Sequence, residues 1–293
     1  MQGAVHAWQA VFRHMVNYRN VEIIGTSAEM GDSLRGYGKA LSASDAIMLV
    51  CYVIARVQIP LQTFCVDFSM VPGDHDLIPC IHPRHVSHAF LRRSPDFLAA
   101  WSNTRSLILR GALRGDLFAG LMMHTGRLEK LELTKCWWPD LGNTFHVLKL
   151  LGRSLQLREF RLEWSDASQH ALATLLKQVK PSLRKLYPGH LKLRWGSWIP
   201  ILTQLRARNT TILEEISLIE LSSVGFVKSQ LHFPRLSSNA VVDPETGSEV
   251  TYSSRVVGGG FGRCLNTGIR YSGPRMDIAL QRLPDWGQEA SFS

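Results

Sequence analysis

The segment between residues 75 and 88 contains the strongest candidates for chemistry in this sequence. GDHDLIPCIHPRHVSH combines the residue types that bind zinc, namely His75, Cys80, His82, His85 and His88. His85 and His88 would share one face of a helix because they are three residues apart. A closed zinc site requires CxxC or HxxxH spacing, which this segment lacks. We therefore favour a polar loop over the alternative, a metal-dependent enzyme that uses the His75–His88 cluster.

A glycine-rich segment from Gly258 to Arg263 superficially resembles a phosphate-binding loop. A true P-loop ends in Gly-Lys-Ser/Thr before a helix, whereas here Cys264 and a leucine follow the arginine, so we expect a turn or bulge. No GxSxG segment supports a serine nucleophile, and Cys136 occupies a position typical of core packing. The sequence predicts no catalytic residue, no cofactor and no metal site, and hence no enzyme.

A recurring leucine pattern indicates the elements that form the scaffold. The order leucine, two residues, leucine, one residue, leucine begins at positions 128, 157, 183 and 213, and irregular copies occur at LQTFCVDF and SLIL. Steps of 29, 26 and 30 residues match long leucine-rich repeats, each with one strand and one helix. Because one repeat cannot bury its apolar face alone, its leucines must stack on those of neighbouring strands. We predict an α/β fold, a leucine-rich-repeat-like solenoid of irregular short parallel strands plus helices.

The pattern divides the chain into three predicted regions. Residues 1–60 read as a helical N-terminal cap, residues 61–222 as irregular leucine-rich repeats, and residues 223–293 as a C-terminal hairpin and loose tail. Helices are predicted to start at Asn143-Thr144, within Ser165 to Ser168, and at Ser197. Pro188 stands where a core leucine belongs, so its strand is expected to be short or shifted.

The net charge of +9 comes entirely from the repeats. Between residues 101 and 213 there are 18 basic and 7 acidic side chains, a difference of +11. Because the basic residues occur singly or in pairs, nucleic acid is an unfavoured partner, and a nucleic-acid-associated basic repeat protein is the alternative function. Five scattered cysteines and the lack of a long apolar run predict a cytoplasmic or nuclear protein without membrane contact.

The outward positions beside the core leucines form the predicted binding surface. The position before the second leucine anchor alternates in charge from Lys130 onward, through Glu159, Lys185 and Glu215, as a ladder of lateral ion pairs would require. Six tryptophans occur in the repeat half, and core packing is the expected role of Trp164 and Trp195. The predicted partner-binding face, called the sheet face below, consists of Arg110, Glu132, Arg161, Glu163 and Tyr187.

The segments WSNTRSLILRGAL, LEKLELTKCWW, LRKLYPGHLKLRWGSWIPIL and LEEISLIEL resemble the irregular leucine-rich half of filamentous-fungal F-box-type proteins. The resemblance covers roughly residues 60 to 222. It implies a protein-protein interaction scaffold that acts as the substrate receptor of a cullin-type ubiquitin ligase. The family places an F-box with an LP-containing helix before the repeats, and residues 1–60 lack that motif.

Overall fold

The protein is described here by a computed structural model. It covers residues 10–11, 19–24, 43–67, 94–111, 121–122, 124–134, 155–206, 212–224, 228–232, 240–242, 249–251, 253–258, 264–273 and 276–291. Within these residues the structure is mixed α/β. The chain divides into two compact units, Met1–Leu155 and Gln156–Ser293.

Four parallel strands organise the first unit. Its described elements are β1 (Asn20–Ile24), α1 (Ala43–Val57), β2 (Thr63–Asp67), α2 (Pro95–Trp101), β3 (Ser106–Arg110) and β4 (Lys130–Thr134). The strands pair in the order β1-β2-β3-β4, residue for residue and without a shift. The strands predicted at LQTFCVDF, SLIL and LEKLEL are thus confirmed. Strand β1 lies in the region predicted to be helical, because the β-branched residues of NVEII favour pairing with β2.

The leucine pattern sets the core of the first unit. Phe64, Leu107 and Leu131 are successive partners across β2, β3 and β4, and all three are fully buried. Helix α2 begins at Ser94, whose hydroxyl oxygen accepts a hydrogen bond from the Phe97 backbone N–H at 3.3 Å. The helix places the buried Trp101 ring against Phe64, with 5.0 Å between ring centroids. The indole of Trp101 donates a hydrogen bond of 2.8 Å to the backbone carbonyl of residue 121, so its one polar atom is satisfied.

The second unit contains two layers of strands and three helices among its described residues. Its strands are β5 (Glu159–Glu163), β6 (Asp166–Ser168), β7 (Lys185–Gly189), β8 (Lys192–Trp195), β9 (Glu215–Ile219), β10 (Ser222–Val224), β11 (Lys228–His232), β12 (Ala240–Val242), β13 (Glu249–Thr251), β14 (Ser253–Gly258), β15 (Cys264–Ser272) and β16 (Gln288–Ser291). Its helices are α3 (Gln169–Val179), α4 (Trp198–Arg206) and α5 (Met276–Trp286).

The larger sheet of this unit carries the repeat pattern. Strands β5, β7 and β9 are parallel, with Phe160, Leu186 and Ile216 as successive buried partners. Strands β15 and β14 extend the sheet in antiparallel fashion. Strand β7 has the same five-residue length as its neighbours and pairs in register with β5, so the expectation of a short or shifted strand at Pro188 was wrong. A proline lacks the backbone N–H, yet its ring fills the buried position opposite Leu162.

A smaller sheet begins immediately after the repeat strands. Strands β6, β8 and β10 pair in parallel, and β11 and β16 continue the sheet in antiparallel fashion. Between the two strands of each repeat stands one residue with positive φ, at Trp164 (52°), His190 (48°) and Glu220 (49°). Each breaks the extended conformation and redirects the chain from the larger sheet into the smaller one.

Helices α3 and α4 confirm the starts predicted within Ser165 to Ser168 and at Ser197, whereas the start predicted at Asn143-Thr144 lies outside the described residues. The Ser168 hydroxyl oxygen accepts a hydrogen bond from the Ala171 backbone N–H at 3.2 Å, and the Ser197 hydroxyl oxygen accepts one from Ile199 at 3.2 Å.

The prediction of a loose tail was wrong for the described part of residues 276–291. Met276, Ala279, Leu280 and Leu283 recur at helical spacing and are buried in α5, and β16 pairs with β11. The predicted hairpin is confirmed by antiparallel β12 and β13, although its turn at residues 243–247 lies outside the described residues.

Candidate interaction surface

All five residues of the predicted sheet face are described, and they fall in both units. Arg110 ends β3 and Glu132 lies in the middle of β4, in the first unit. Arg161 and Glu163 belong to β5, and Tyr187 belongs to β7, in the second unit. Each residue alternates with buried leucine-like anchors, because successive side chains of a strand point to opposite faces. The structure therefore forms two side-chain clusters from these residues, one in each unit.

The first-unit cluster is a cation held between two carboxylates. Arg110 donates from Nε to Glu132 Oε1 at 2.7 Å and from Nη1 to Asp67 Oδ2 at 2.8 Å. Lys130 Nζ lies 3.9 Å from the other Glu132 oxygen. The hydrogen bond to Glu132 is the main cause that raises the pKa of Arg110, against the opposing effect of burial. Glu132 is only 4% exposed, so its charge depends on these cations for compensation.

The second-unit cluster has the opposite arrangement, a carboxylate held by donors. Tyr187 donates from its hydroxyl to Glu215 Oε2 at 2.7 Å, and Arg270 donates from Nε to Glu215 Oε1 at 2.9 Å. Lys185 Nζ lies 3.9 Å from Glu215, which confirms that rung of the predicted charge ladder. Burial alone would raise the pKa of Glu215, but the hydrogen bonds from Tyr187 and Arg270 lower it below its ordinary value.

Arg161 connects this cluster to the end of strand β5. Its guanidinium carbon lies 4.7 Å from the centroid of the Tyr187 ring, within the range of a cation–π interaction. Its Nη1 also lies 3.4 Å from Glu163 Oε1, and Glu163 packs beside Gly189 of the neighbouring strand. Burial of Tyr187 and its bond to Glu215 raise the pKa of the phenol, so the group remains a hydrogen-bond donor at neutral pH. Arg161, Glu163 and Tyr187 are thus brought together as predicted.

The predicted site residues did not include Glu215, Asp67 or Arg270. The sequence carried a different amount of information about each of these three. Glu215 belonged to the predicted charge ladder. Asp67 is the strand partner of Arg110, so the irregular repeat at LQTFCVD could have identified it. Arg270 enters from the antiparallel strand β15, opposite Ser217, and no leucine pattern marks that strand.

The tryptophans divide into two groups that the sequence did not distinguish. Trp101 and Trp198 are core residues with exposures of 0% and 1%. Trp164 and Trp195 are 49% and 70% exposed, so the expectation that they pack in the core was wrong. Trp164 follows strand β5 in a left-handed conformation that turns its indole outward onto the His190 ring, with centroids 3.7 Å apart. Trp195 lies two positions after the buried Leu193, where alternation alone would turn it inward. The register shift between β6 and β8 interrupts that alternation and pairs Trp195 with Ser168.

The candidate catalytic and metal-binding segments lie largely outside the described residues. The cluster from His75 to His88 and the thiol of Cys136 fall in undescribed parts of the chain, as does the glycine run after Gly258. Within the described ranges, no group of three His, Cys, Asp or Glu side chains is placed to hold a metal ion. Among the same residues, no helix combines the length and apolarity needed to cross a membrane.

The chain was compared with known proteins through protein-family models and through curated sequences. No family model matches it, and no curated protein resembles it at a significant level.

Proposed function

We propose that this protein is a leucine-rich-repeat-like solenoid that serves as a non-enzymatic protein-binding scaffold. The observation that carries the proposal is the register of the repeat strands. Parallel neighbours align Phe64, Leu107 and Leu131 in one unit and Phe160, Leu186 and Ile216 in the other. Consecutive repeats that stack through a shared apolar interior leave a regular outer surface for macromolecular partners.

The proposed binding surface is the sheet face, and the second-unit cluster is its strongest part. Aromatic and arginine side chains carry much of the energy in protein interfaces. Arg161 lies against Tyr187, and Tyr187 is fixed through its hydroxyl bond to Glu215. Side chains held in this way lose little conformational freedom when a partner binds, so more of the contact energy is available for affinity.

The partner follows from the resemblance to fungal F-box-type repeat proteins. On that basis the bound protein is a substrate delivered to a cullin-type ubiquitin ligase. A ligase would also require a contact with its cullin adaptor, for which the family uses a segment outside the repeats. The protein-binding role and the ligase role are therefore separate parts of the proposal.

The test is proximity labelling in cells, followed by pull-down of the identified partners with purified variants. We expect the double substitution Arg161→Glu and Tyr187→Ala to abolish capture of at least one major partner. The matched control is Lys177→Glu, which reverses an exposed charge on helix α3 away from the sheet strands. If the double variant retains every partner that the parent protein captures, the sheet face is not the binding surface.

The same labelling experiment addresses the ligase role. Cullin and adaptor subunits among the labelled proteins would support a substrate receptor. If they are missing while other partners depend on Arg161 and Tyr187, the protein is a binding scaffold outside the ligase.

A further inference from the structure

A long stretch of the second unit contains no acidic side chain. Between Asp166 and Glu214 the chain has eight lysines and arginines and neither Asp nor Glu. The basic residues are dispersed in sequence, but strand β8 brings two of them to one face. Lys192 and Arg194 are two residues apart on this strand, and both are exposed. The smaller sheet therefore presents two cations outside the sheet face, next to the single carboxylate of Asp166, which is the strand partner of Lys192.

An exposed tryptophan stands beside these two cations. Trp195 follows Arg194 directly, and 70% of its surface is in contact with solvent. An exposed indole on ordered backbone offers a flat apolar face on which a ligand can stack. Lys192, Arg194 and Trp195 are called the Trp195 surface below.

The backbone that carries Trp195 is held in place from both sides. Trp195 pairs with Ser168 of strand β6, and the next residue, Gly196, adopts φ +101°. Gln169 Oε1 accepts a hydrogen bond from the Ser197 backbone N–H at 2.8 Å, which closes the turn. A Cβ atom at Gly196 would lie 2.1 Å from that same oxygen, so only glycine fits there. The indole is therefore presented from a fixed strand end.

A second aromatic platform lies at the other end of strand β6. Trp164 is half exposed and stacks on His190 with an interplanar angle of 10°. Trp164 precedes Ser168, the strand partner of Trp195, by four positions. Four positions span at most about 14 Å between Cα atoms. Trp164 is thus a second exposed ring close to the strand partner of Trp195.

We propose that the Trp195 surface binds single-stranded nucleic acid, with a base stacked on Trp195 and phosphates bound by Lys192 and Arg194. Exposed aromatic rings beside cations are the elements with which proteins bind single strands, since every base has a π-face to stack. Arg194 also contacts Asp166 at 3.0 Å, which fixes the guanidinium on the side of the strand that faces the solvent. The proposal does not depend on the protein-binding role of the sheet face.

Single strands suit this surface better than the other anionic polymers. The bases of a duplex are already stacked on one another, so a projecting indole could not reach their faces. An acidic polypeptide would satisfy Lys192 and Arg194, but it has no flat groups to stack on the exposed indole of Trp195. The combination of rings and cations therefore favours unpaired bases.

The test is fluorescence anisotropy with a labelled oligothymidylate of about 12 nucleotides, within the site sizes known for single-strand binding. The full-length protein should bind the oligonucleotide, and the affinity should fall as the salt concentration rises. Trp195→Ala should raise Kd by about tenfold or more, because stacking on an aromatic ring is lost. Lys192→Gln should reduce the slope of log affinity against log salt by about 0.7.

Lys177→Gln is the matched control, since it removes one exposed positive charge from helix α3 instead of strand β8. It should leave Kd within about twofold of the parent value, as expected for a charge outside the contact. Circular dichroism of each variant establishes that the substitution leaves the fold intact, and Trp195→Phe should retain most of the affinity because it keeps a ring.

Four outcomes overturn the proposal. The first is no binding of the oligonucleotide, and the second is equal affinity of Trp195→Ala and the parent protein. The third is an equal effect of Lys177→Gln and Lys192→Gln, which would indicate diffuse electrostatic attraction. The fourth is displacement of the oligonucleotide by polyglutamate or duplex DNA at equal concentration, which would assign the surface to acidic polypeptides or to paired strands.

Discussion

The two units compensate buried charge on their repeat strands with opposite chemistry. In the first unit, one guanidinium, Arg110, is shared by the carboxylates of Asp67 and Glu132. In the second unit, one carboxylate, Glu215, is shared by the phenol of Tyr187 and the guanidinium of Arg270. In the first cluster the shared Arg110 side chain is 35% exposed, whereas the side chains of Asp67 and Glu132 are only 13% and 5% exposed. The second cluster directs its acid inward and leaves the Arg270 side chain 60% exposed.

This difference is the reason that the proposed binding role is assigned to the second-unit cluster. The hydrogen bonds of Arg110 are made within its own cluster, which stabilises the strands but offers a partner little. In the second unit, the exposed Arg270 and the partly exposed Arg161 lie beside the buried phenol of Tyr187 and the carboxylate of Glu215. Preorganised groups of this kind are suited to interface contacts. Substitutions in the two clusters should therefore differ in the size of their effects.

The largest effect is expected from Glu215→Ala. The substitution leaves the buried Tyr187 hydroxyl without its acceptor and removes the charge that compensates Arg270. We expect the free energy of unfolding in urea to fall by about 3 kcal/mol, the low end for breaking a buried pair, because Arg270 can be rehydrated. The control is Glu214→Ala, the adjacent residue, whose 53% exposed side chain pairs with Arg184. That pair should contribute about 0.5 kcal/mol, and equal losses in the two variants would refute the buried-carboxylate account.

A smaller effect is expected from Glu132→Ala in the first unit. Arg110 keeps Asp67 as a partner, so the variant should lose only about 1.5 kcal/mol of unfolding free energy, the value of one charge-assisted hydrogen bond. Asp67→Ala should behave similarly. The double variant should lose about 1 kcal/mol more than the sum, because Arg110 then has no carboxylate. Strict additivity in this double-mutant cycle would show that the two acids do not share the guanidinium.

The second-unit cluster should also respond to acid. The folded-state pKa of Glu215 lies below its unfolded value, which is about 4.3 for a glutamate. Its carboxylate therefore contributes stability above that pH, and the contribution is lost as the pH falls through the folded-state pKa. The difference in unfolding free energy between the parent and Glu215→Gln should have its full value at pH 7 and should decrease below about pH 4. A difference that stays constant between pH 7 and pH 3 would contradict this assignment.

The repeat strands and the helices after them could be predicted because their signals are local. Leucines at fixed spacing identified the strands of both units, and serines one residue before α3 and α4 marked the helix starts. Reliance on local signals also explains why helix α5 was not predicted. Pro284 suggested an irregular tail, but Met276, Leu280 and Leu283 bury one face of α5, and that burial outweighs the proline near the helix end.

The site was predictable only where strand neighbours follow the repeat. Arg161, Glu163 and Tyr187 were identified because alternation along a strand determines which side chains share a face. Arg270 was missed because an antiparallel strand brings it beside Glu215 from 55 residues away. The exposure of Trp195 was missed for a related reason, since residue type indicates burial only on average, and β8 belongs to a second sheet that the leucine pattern does not describe.

The smallest predicted effect concerns the residues that link the two sheets of the second unit. In the first unit, Gly111 follows strand β3 with φ +125°, whereas in the second unit Glu220 follows β9 with φ +49°. A non-glycine residue in the left-handed region costs about 1 to 2 kcal/mol, which the greater flexibility of an unfolded glycine partly offsets. Glu220→Gly and Glu220→Ala both remove the contact with His190 Nδ1 at 3.0 Å. The difference between their free energies of unfolding therefore reports the backbone contribution alone. We expect the glycine variant to be more stable by about 0.5 kcal/mol in urea unfolding.

Gly111→Ala serves as the counterpart and should be destabilising, since alanine cannot adopt φ +125° without strain. If alanine proved as stable as glycine at both positions, the positive φ would not constrain the chain at the exits of the strands, and the link between the two sheets would depend on side-chain contacts such as the Trp164–His190 stack.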